Sequence, residues 1–400
     1  VNPEPIDIAG LLQPVQPDAF FAGTWEKSHL HVARAQPGYY DALITAADLE
    51  RALNSPDARY PAIRIAQGGA FVAPEAYTGT VRLGDEAFTG VPDVRRMAEA
   101  YRRGATLVLP ALHRTWAPLR RLCAALEDEL DYAVHANAYI TPGNAAGFTP
   151  HYDVHEVFVL QVAGRKRWRL YAPRLKLPHR SQPCTPATYA GEAPFAQVEL
   201  QPGDLLYLPR GVLHGTTTSD GYSAHVTIGL SVHTWVDLIK EALASAIADE
   251  QLRAALPPGF ARRGADLAPQ LAQRLGVALA QLQARTDPAA LVAAYGARVR
   301  SGRMPAPEPL QLDVRVVHPD TPVEAPPPTQ YRLRIDADAA LLEFGGARYQ
   351  LPLAVAPALQ ALIARHRCRA ADLPEALELE ARLGLLRFLL EIGFVRIVGA

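Results

Sequence analysis

Four hundred residues with 40 lysines and arginines against 41 acidic residues carry a net charge of −1, so no global field draws the chain to nucleic acid or to an anionic membrane. A hydrophobic content of 49% excludes a disordered or fibrous protein, and the length allows two or three domains with proper cores. Cys123, Cys184 and Cys368 lie far apart and outside any CxxC, which argues against a disulfide framework or a zinc ribbon.

The opening "VNPEPIDIAG" lacks a basic-then-apolar signal pattern, and no apolar run reaches spanning length, so a reducing cytoplasm is the expected compartment. From there to about Thr234, short helical pieces mix with β-like runs: 105–110, 135–140, 156–162, 166–171, 204–209 and 223–232. Turn residues separate them at Pro142-Gly143-Asn144, Ala163-Gly164 and Pro202-Gly203-Asp204. Many short strands punctuated in this way predict an antiparallel sandwich or barrel. Beyond Trp235 the period becomes helical. Ile239, Leu243 and Ile247 form one stripe beside Ala242 and Ala246, and Leu271, Leu275, Leu279 and Leu282 form a second. Asp287-Pro288 predicts the start of a third helix carrying Leu291, Val292, Tyr295 and Val299. Such stripes either pair subunits or fill a core. The Pro-rich passage from Pro305 to Pro328 reads as a linker. The last segment reads as strand, turn at Gly345-Gly346, strand, helices near 355–366, 371–377 and 380–391, and a closing strand, a pattern that fits a winged-helix module. The predicted boundaries are a β-rich domain with N-terminal flanking elements over 1–234, a helical domain over 235–304, a linker over 305–329 and a small α+β domain over 330–400.

The stretch "TPHYDVHEVFVLQVAGRKRW" (149–168) carries the chemistry. On a strand, residues two apart share a face, so His151, Asp153 and His155 point one way. A His-x-Asp pair can place an imidazole and a carboxylate on one metal ion, and His214, just beyond the turn at Pro209-Arg210-Gly211, is the candidate third ligand. Two histidines and one carboxylate on one side of a metal make the facial arrangement of non-haem Fe(II) oxygenases. The competing reading is a solvated surface strand and a histidine satisfied by backbone. On the next strand Lys166, Trp168 and Leu170 share a face, predicted inward. A lysine there needs an anion, such as one end of a dicarboxylate whose other end chelates the metal, unless it snorkels to the barrel mouth. Asn137 and Tyr139 alternate in the same sense and can donate hydrogen bonds inside a barrel. His155 lies about 7 Å along the strand from Asp153, too far for the same ion, and is either a pocket-lining or a structural residue.

The stretches "ANAYITPGNAAGFTPHYDVHEVFVLQVAGRKRWRLYAP" and "PGDLLYLPRGVLHGTTT" resemble the JmjC-type Fe(II)/2-oxoglutarate-dependent oxygenases, in particular the ribosomal oxygenases and their cupin-like bacterial relatives. A weaker likeness extends to 25–49, 236–247, 256–260 and the final module. The resemblance implies a double-stranded β-helix (jelly-roll, cupin/JmjC) barrel, mainly β with α, followed by a helical dimerisation region and a winged-helix module. It assigns iron to His151, Asp153 and His214, the far carboxylate of 2-oxoglutarate to Lys166, and other cosubstrate contacts to Asn137, Tyr139, Thr141 and His225. The implied reaction is hydroxylation with O2, coupled to decarboxylation of 2-oxoglutarate to succinate, and the implied substrate is an Arg or His side chain of a ribosomal protein. One departure concerns the substrate: where several relatives have serine four residues after the histidine matching His225, this chain has Gly229.

The implied protein is a cytoplasmic homodimer without a membrane partner. The only basic cluster of the last module is Arg365, His366, Arg367 and Arg369, so a structural or protein-docking role is expected there rather than nucleic-acid binding. Three other readings stay open: the same chemistry on a precursor peptide or small molecule, a non-catalytic JmjC-like scaffold, and a cupin of another chemistry. Demethylation instead of hydroxylation also stays open. Lys166 disfavours the scaffold and the other cupins, since neither has a use for an inward ammonium.

Overall fold

A computed structural model describes residues 7–55, 58–184, 193–219, 221–244, 247, 250–262, 264–285, 287–301, 317–345 and 347–398. The chain divides into two compact units, Val1–Val232 and His233–Ala400, each described by itself.

The first unit begins with helices Ile8–Leu12 and Pro17–Gly23, then β1 (Leu30–Val32) and helix Ala46–Leu53, which Thr45 and Asp48 cap reciprocally. There follow β2 (Arg64–Gln67), β3 (Ala70–Phe71), the hairpin β4 (Thr78–Leu83) and β5 (Glu86–Pro92), helix Val94–Arg102, β6 (Thr106–Leu109) and helix Ala117–Leu130. The remaining strands are β7 (Ala133–Thr141), β8 (Glu156–Ala163), β9 (Lys166–Tyr171), β10 (Ala196–Leu200), β11 (Leu205–Leu208), β12 (Leu213–Thr218) and β13 (Ser223–Ser231). Among the described residues they form an eight-stranded sheet, β1-β11-β8-β13-β7-β6-β2-β3, and a three-stranded sheet, β10-β9-β12. The neighbouring strand pairs of both sheets are antiparallel.

Strand alternation separates structure from chemistry. On β7, Val134, Ala136, Ala138 and Ile140 pack outward into a core shared with the helices, and on β13 Ala224, Val226, Ile228 and Leu230 do the same. An aromatic cluster anchors that core: the ring of Phe20 lies 4.8 Å from Tyr207, 5.8 Å from Phe158 and 6.0 Å from Trp25. Burying each such side chain contributes about 1.5–3 kcal/mol. The strand β8 is buried on both faces. Phe158 and Leu160 join the helix-side core, whereas Val157 and Val159 join a second core with Trp168, Leu170, Val198 and Leu200 between the two sheets. That double burial explains why its sequence is a continuous apolar run.

The chain crosses from the large sheet to the small one at Gly164, between β8 and β9. Its φ is +65°, and an added Cβ would lie 1.8 Å from the Tyr222 carbonyl oxygen, so this turn requires glycine.

In the second unit, helices Trp235–Ala244, Glu250–Arg253, Gly264–Arg285 and Pro288–Ser301 come first. Asp287 caps the last of them, accepting from the backbone N–H groups of Ala289 (2.9 Å) and Ala290 (3.2 Å), as its position before Pro288 predicted. Ile239, Leu243, Leu271, Leu275 and Leu279 are exposed. Strands Tyr331–Ile335, Ala339–Phe344 and Ala347–Pro352 then form a meander that shares a core with helices Ala356–Arg365 and Leu379–Glu391, including Leu342, Phe344, Leu359, Leu386 and Phe394. Among the described residues no helix is long and apolar enough to cross a membrane.

Two expectations need correction. The helix predicted at 371–377 is a single 3-10 turn, Ala370–Asp372, because Pro374 pushes Leu373 into an extended conformation (ψ 155°). The end of the passage predicted as linker is built into the fold: Val317, Val323 and Ala325 are buried, and Val323–Glu324 is the central strand between Arg367–Cys368 and Arg396–Ile397. Ala246, Gly346, residues 305–316 of the Pro-rich passage and the side chain of Leu282 lie outside the described residues.

Replacing Gly164 by alanine is expected to destabilise the first unit by about 2 kcal/mol or more, since both the left-handed backbone and the contact with Tyr222 oppose a Cβ. A lowered urea midpoint at unchanged slope is the outcome that checks it.

Candidate metal and anion site

The inward faces of the two sheets enclose a cavity of about 310 Å³. His151 lies on its wall, outside any strand, and pairs with His214 of β12 as an isolated antiparallel bridge. The His151 N–H donates to the His214 carbonyl (3.1 Å) and the His214 N–H to that of His151 (2.8 Å). Reciprocal bonding of this kind sets the two side chains beside each other, with ring centroids 4.6 Å apart. Contrary to the strand expected over them, His151, Asp153 and His155 lie outside any strand. Strand β8 starts only at Glu156, and the preceding residues bend, with the Asp153 carbonyl accepting from the Gly211 N–H (3.0 Å).

The donor atoms of His151, Asp153 and His214 nevertheless all lie within 4.8 Å of one another. Asp153 Oδ2 is 3.8 Å from His214 Nε2. Each imidazole has its Nδ1 beside the backbone carbonyl two residues earlier, Thr149 at 2.8 Å and Val212 at 3.0 Å. A carbonyl oxygen only accepts, so Nδ1 carries the proton and Nε2 keeps its lone pair for a metal. Burial and the neighbouring His151 push His214 down to about 4, so its ring is neutral at physiological pH. Burial raises the Asp153 carboxyl, but His155, His214 and His151 around it outweigh that and hold it below its ordinary value. Two neutral nitrogens and one carboxylate oxygen suit a first-row divalent metal. His155 lines the cavity outside this triplet, its ring edge-on to that of His135 at 4.9 Å.

A buried ion network ties the two ligand-bearing loops together. Arg210, in the turn before β12, pairs with Glu26 and with Glu156 (2.6 Å), and the Tyr207 hydroxyl donates to the same Glu156 carboxylate (2.6 Å). Nothing in the sequence signals this network, because its partners are 184 and 54 residues from Arg210.

Lys166 faces inward, as its strand position predicted, and is 3% exposed. Its ammonium donates to Thr141 Oγ1 (3.1 Å), which in turn shares a hydrogen bond with Thr106 Oγ1 (2.9 Å), and among the described residues no carboxylate pairs with it. Burial pushes its pKa down to about 7. His225 is also buried, and burial together with Lys166 holds its pKa well below the ordinary value. Its Nδ1 and Trp168 Nε1 are buried without hydrogen-bond partners in the protein. A buried cation beside polar atoms without partners in the protein suits an anionic ligand.

Between Lys166 and the His151, Asp153 and His214 side chains, Tyr139 stacks on His225 (5.0 Å) and hydrogen-bonds with Thr227 and Asn137. The Asn137 Oδ1 accepts from the Ala111 N–H (2.9 Å), so it is the amide N–H side that meets Tyr139. Residues that sequence reasoning passed over include Thr106, Phe71 and Phe148. Phe148 lies edge-on to His151 (5.7 Å), Phe71 (5.3 Å) and Tyr139 (6.3 Å), which makes an apolar wall beside the metal donors. His135 was legible, since it shares the inward alternation of Asn137 and Tyr139.

Residues 112–238 match the family described as JmjC domain. The chain is 32% identical over 279 residues to the bifunctional lysine-specific demethylase and histidyl-hydroxylase NO66 of Drosophila persimilis, covering 68% of this chain and 38% of that protein. It is 33% identical over 246 residues to human ribosomal oxygenase 1, covering 59% of this chain and 36% of that protein. It therefore spans less than half the length of these curated relatives. The Escherichia coli ribosomal oxygenase YcfD has a similar fold, with a TM-score of 0.55 at 18% identity over 96% of this chain and 98% of that one. A structure of that protein in complex with cobalt and 2-oxoglutarate gives a TM-score of 0.52 at 18% identity. The fold is thus the JmjC cupin fold in a mixed α/β chain.

Two outcomes are expected. Substituting His214 by alanine removes one of three donors and abolishes the visible absorption that Co(II) develops on titration into the wild type. Substituting Arg210 by methionine leaves the Glu156 carboxylate buried and unpaired, which costs about 3–5 kcal/mol in urea unfolding.

Proposed function

We propose, for a chain that carries a JmjC domain and is related in sequence to ribosomal oxygenases, that this protein is an Fe(II)/2-oxoglutarate-dependent hydroxylase of an Arg or His side chain in a ribosomal protein. The observation that carries the reading is the buried Lys166 ammonium, without a counter-ion among the described residues, in the same cavity as a two-histidine, one-carboxylate donor set. A metal alone does not account for that lysine, whereas a cosubstrate with a carboxylate at each end accounts for both.

In this reading His151, Asp153 and His214 hold the iron, with the metal-binding Nε2 atoms freed by the Nδ1 hydrogen bonds to Thr149 and Val212. Iron with 2-oxoglutarate and O2 supplies decarboxylation of the cosubstrate to succinate and transfer of one oxygen atom to a C–H bond. Lys166 pairs with the far carboxylate, and Thr141, held by Thr106, keeps the ammonium aimed into the cavity. Asn137, Tyr139 and His225 complete the cosubstrate contacts from β7 and β13. The wall of Phe71 and Phe148 limits water at the metal donors. No side chain acts as a general base.

The exposed stripes of Trp235–Ala244 and Gly264–Arg285 support a homodimer in which a second copy covers Ile239, Leu243, Leu271, Leu275 and Leu279. The region from Tyr331 onward is read as a winged-helix module with a protein-docking role, and the compartment as the cytoplasm.

The test of the reaction is succinate formation from 2-oxoglutarate with Fe(II), together with mass spectrometry of ribosomal proteins from cells with and without the gene. The expected result is a gain of one oxygen atom on one ribosomal protein, lost in His151→Ala and Lys166→Ala. Absence of succinate with Fe(II) favours a scaffold instead. Proton linkage tests the anion pocket separately. Lys166 alone titrates at about 7, and a paired carboxylate favours its ammonium, so binding of 2-oxoglutarate at about pH 8 takes up a proton and at about pH 5 takes up almost none. Calorimetry in buffers of different ionisation enthalpy reads this uptake, which Lys166→Met is expected to abolish.

A further inference from the structure

From Gly164 to Cys184 the chain carries seven lysines and arginines and no acidic residue, although its net charge is −1. The first half of this run is β9, the middle strand of the small sheet β10-β9-β12. Alternation turns Lys166 and Trp168 inward and leaves Arg167, Arg169 and Tyr171 on the outer face, with Arg165 exposed just ahead of the strand. Beside them in register stand Glu199 and Gln197 of β10 and Thr217 of β12. Glu199 is the only carboxylate of that face among the described residues. It pairs with Arg167 (3.2 Å) and Arg165 (3.7 Å), yet those two arginine side chains stay 46% and 57% exposed. At the Tyr171 end, Phe195 lies just ahead of β10, its N–H donating to the Leu170 carbonyl (2.9 Å), and is exposed. Past β9 the basic run continues through exposed Arg174, Lys176 and Arg180. This loop is fastened beside the metal donors: the Tyr152 hydroxyl donates to the Gln182 carbonyl (3.1 Å), and an added Cβ on Gly211 would lie 2.5 Å from the Leu175 carbonyl oxygen.

We propose that the outer face of the small sheet, continued by the loop 172–184, binds single-stranded RNA. A net charge near zero excludes a global field, but three guanidiniums set against one carboxylate make a local one. Outward residues of β9 are about 7 Å apart, so Arg165, Arg167 and Arg169 form a row of cations spaced to follow a phosphate backbone. An acidic protein segment matches the charge equally well, and the aromatic rings decide against it. Tyr171 and Phe195 beside a basic row on a sheet form a platform on which unpaired bases stack, and an acidic segment has no use for one. A duplex keeps its bases stacked inside and gains nothing from the platform either. Only the choice of RNA over DNA rests on the reading of a ribosomal-protein target, whose natural setting is RNA. The Gln197 amide and the Thr217 hydroxyl, in register with Arg169 and Arg167, supply groups for the 2′-hydroxyl. Because the loop is tied to Tyr152, between His151 and Asp153, this track holds an RNA-bound protein target next to the metal donors.

The test is fluorescence anisotropy of a labelled oligouridine titrated with the full chain, without metal or 2-oxoglutarate, over a range of salt concentrations. The wild type is expected to bind at low salt, with a Kd that rises steeply as salt is added. The triple substitution Arg165→Gln, Arg167→Gln, Arg169→Gln is expected to weaken binding about tenfold or more and to lower the salt slope by about 2, since each phosphate contact on a single strand contributes about 0.7. Tyr171→Ala is expected to cost about fivefold or more with the slope unchanged. The same loss of charge elsewhere on the unit, by Arg95→Gln, Arg102→Gln and Arg103→Gln at the exposed helix Val94–Arg102 and the residue after it, is expected to leave both quantities in place. If the β9 triple fails to fold, Arg174→Gln, Lys176→Gln and Arg180→Gln on the loop are expected to lower the slope in the same way. No binding at low salt, equal losses from the β9 and helix triples, or a Kd unmoved by Tyr171→Ala overturns the inference. Equal or tighter binding of oligothymidine, of duplex RNA or of poly-glutamate also overturns it, the last in favour of an acidic protein partner. Succinate formation by the β9 triple is measured separately and is expected to match the wild type, so failure of RNA binding and failure of the hydroxylase reading are told apart.

Discussion

The pair of backbone hydrogen bonds between His151 and His214 is the constraint on which the site depends. It joins a bent segment ahead of β8 to the start of β12, and because each residue both donates and accepts, the two imidazoles are held side by side. Asp153, two residues beyond His151, is drawn to the same place by the Gly211 N–H that holds its carbonyl. Behind these contacts the Glu156–Arg210–Glu26 network closes the two loops on each other in a buried setting, where ion pairing and hydrogen bonding reinforce one another. The metal donors are therefore positioned by backbone geometry first and by side-chain packing second.

Along the barrel the same alternation of strand residues does two tasks. One face of β7 and β13 is apolar and packs against the helices, where it contributes stability. The other face carries polar and titratable groups into the cavity in a graded order. Lys166 lies at one end, the His151, Asp153 and His214 side chains line the wall, and the His135 and His155 rings stand at the Gly229 end. A buried ammonium without a carboxylate partner is destabilising by itself, so the fold accepts a cost at Lys166, where burial lowers the pKa to about 7.

Several of these features are legible in the residues. The positions of β7, β8, β9 and β13 follow from alternation and from the turn residues between them, and Lys166 was placed inward because Trp168 and Leu170 share its face. The capping of Pro288–Ser301 by Asp287 is a local interaction and was equally readable. Other features were not. The helix predicted at 371–377 satisfied the helical period, but Pro374 decided the backbone there. The segment 151–155 obeyed the strand period, yet its partner is a single residue of β12, so the regular ladder never forms. The buried strand Val323–Glu324 lay within a proline-rich passage whose composition suggested only a linker.

The sequence by itself determined which chemical groups were available and, on β7, β9 and β13, which face of the strand each would take, because side-chain periodicity is a local property of the backbone. It also marked Gly229 as a departure from the resemblance. Tertiary structure alone decided the distances: that His214 reaches Asp153, that Lys166 finds no carboxylate among the described residues, that Arg210 meets Glu156, and that two imidazoles fill the space over Gly229. These are contacts between segments far apart in the chain, fixed by the closure of two sheets on each other, and no local pattern encodes them.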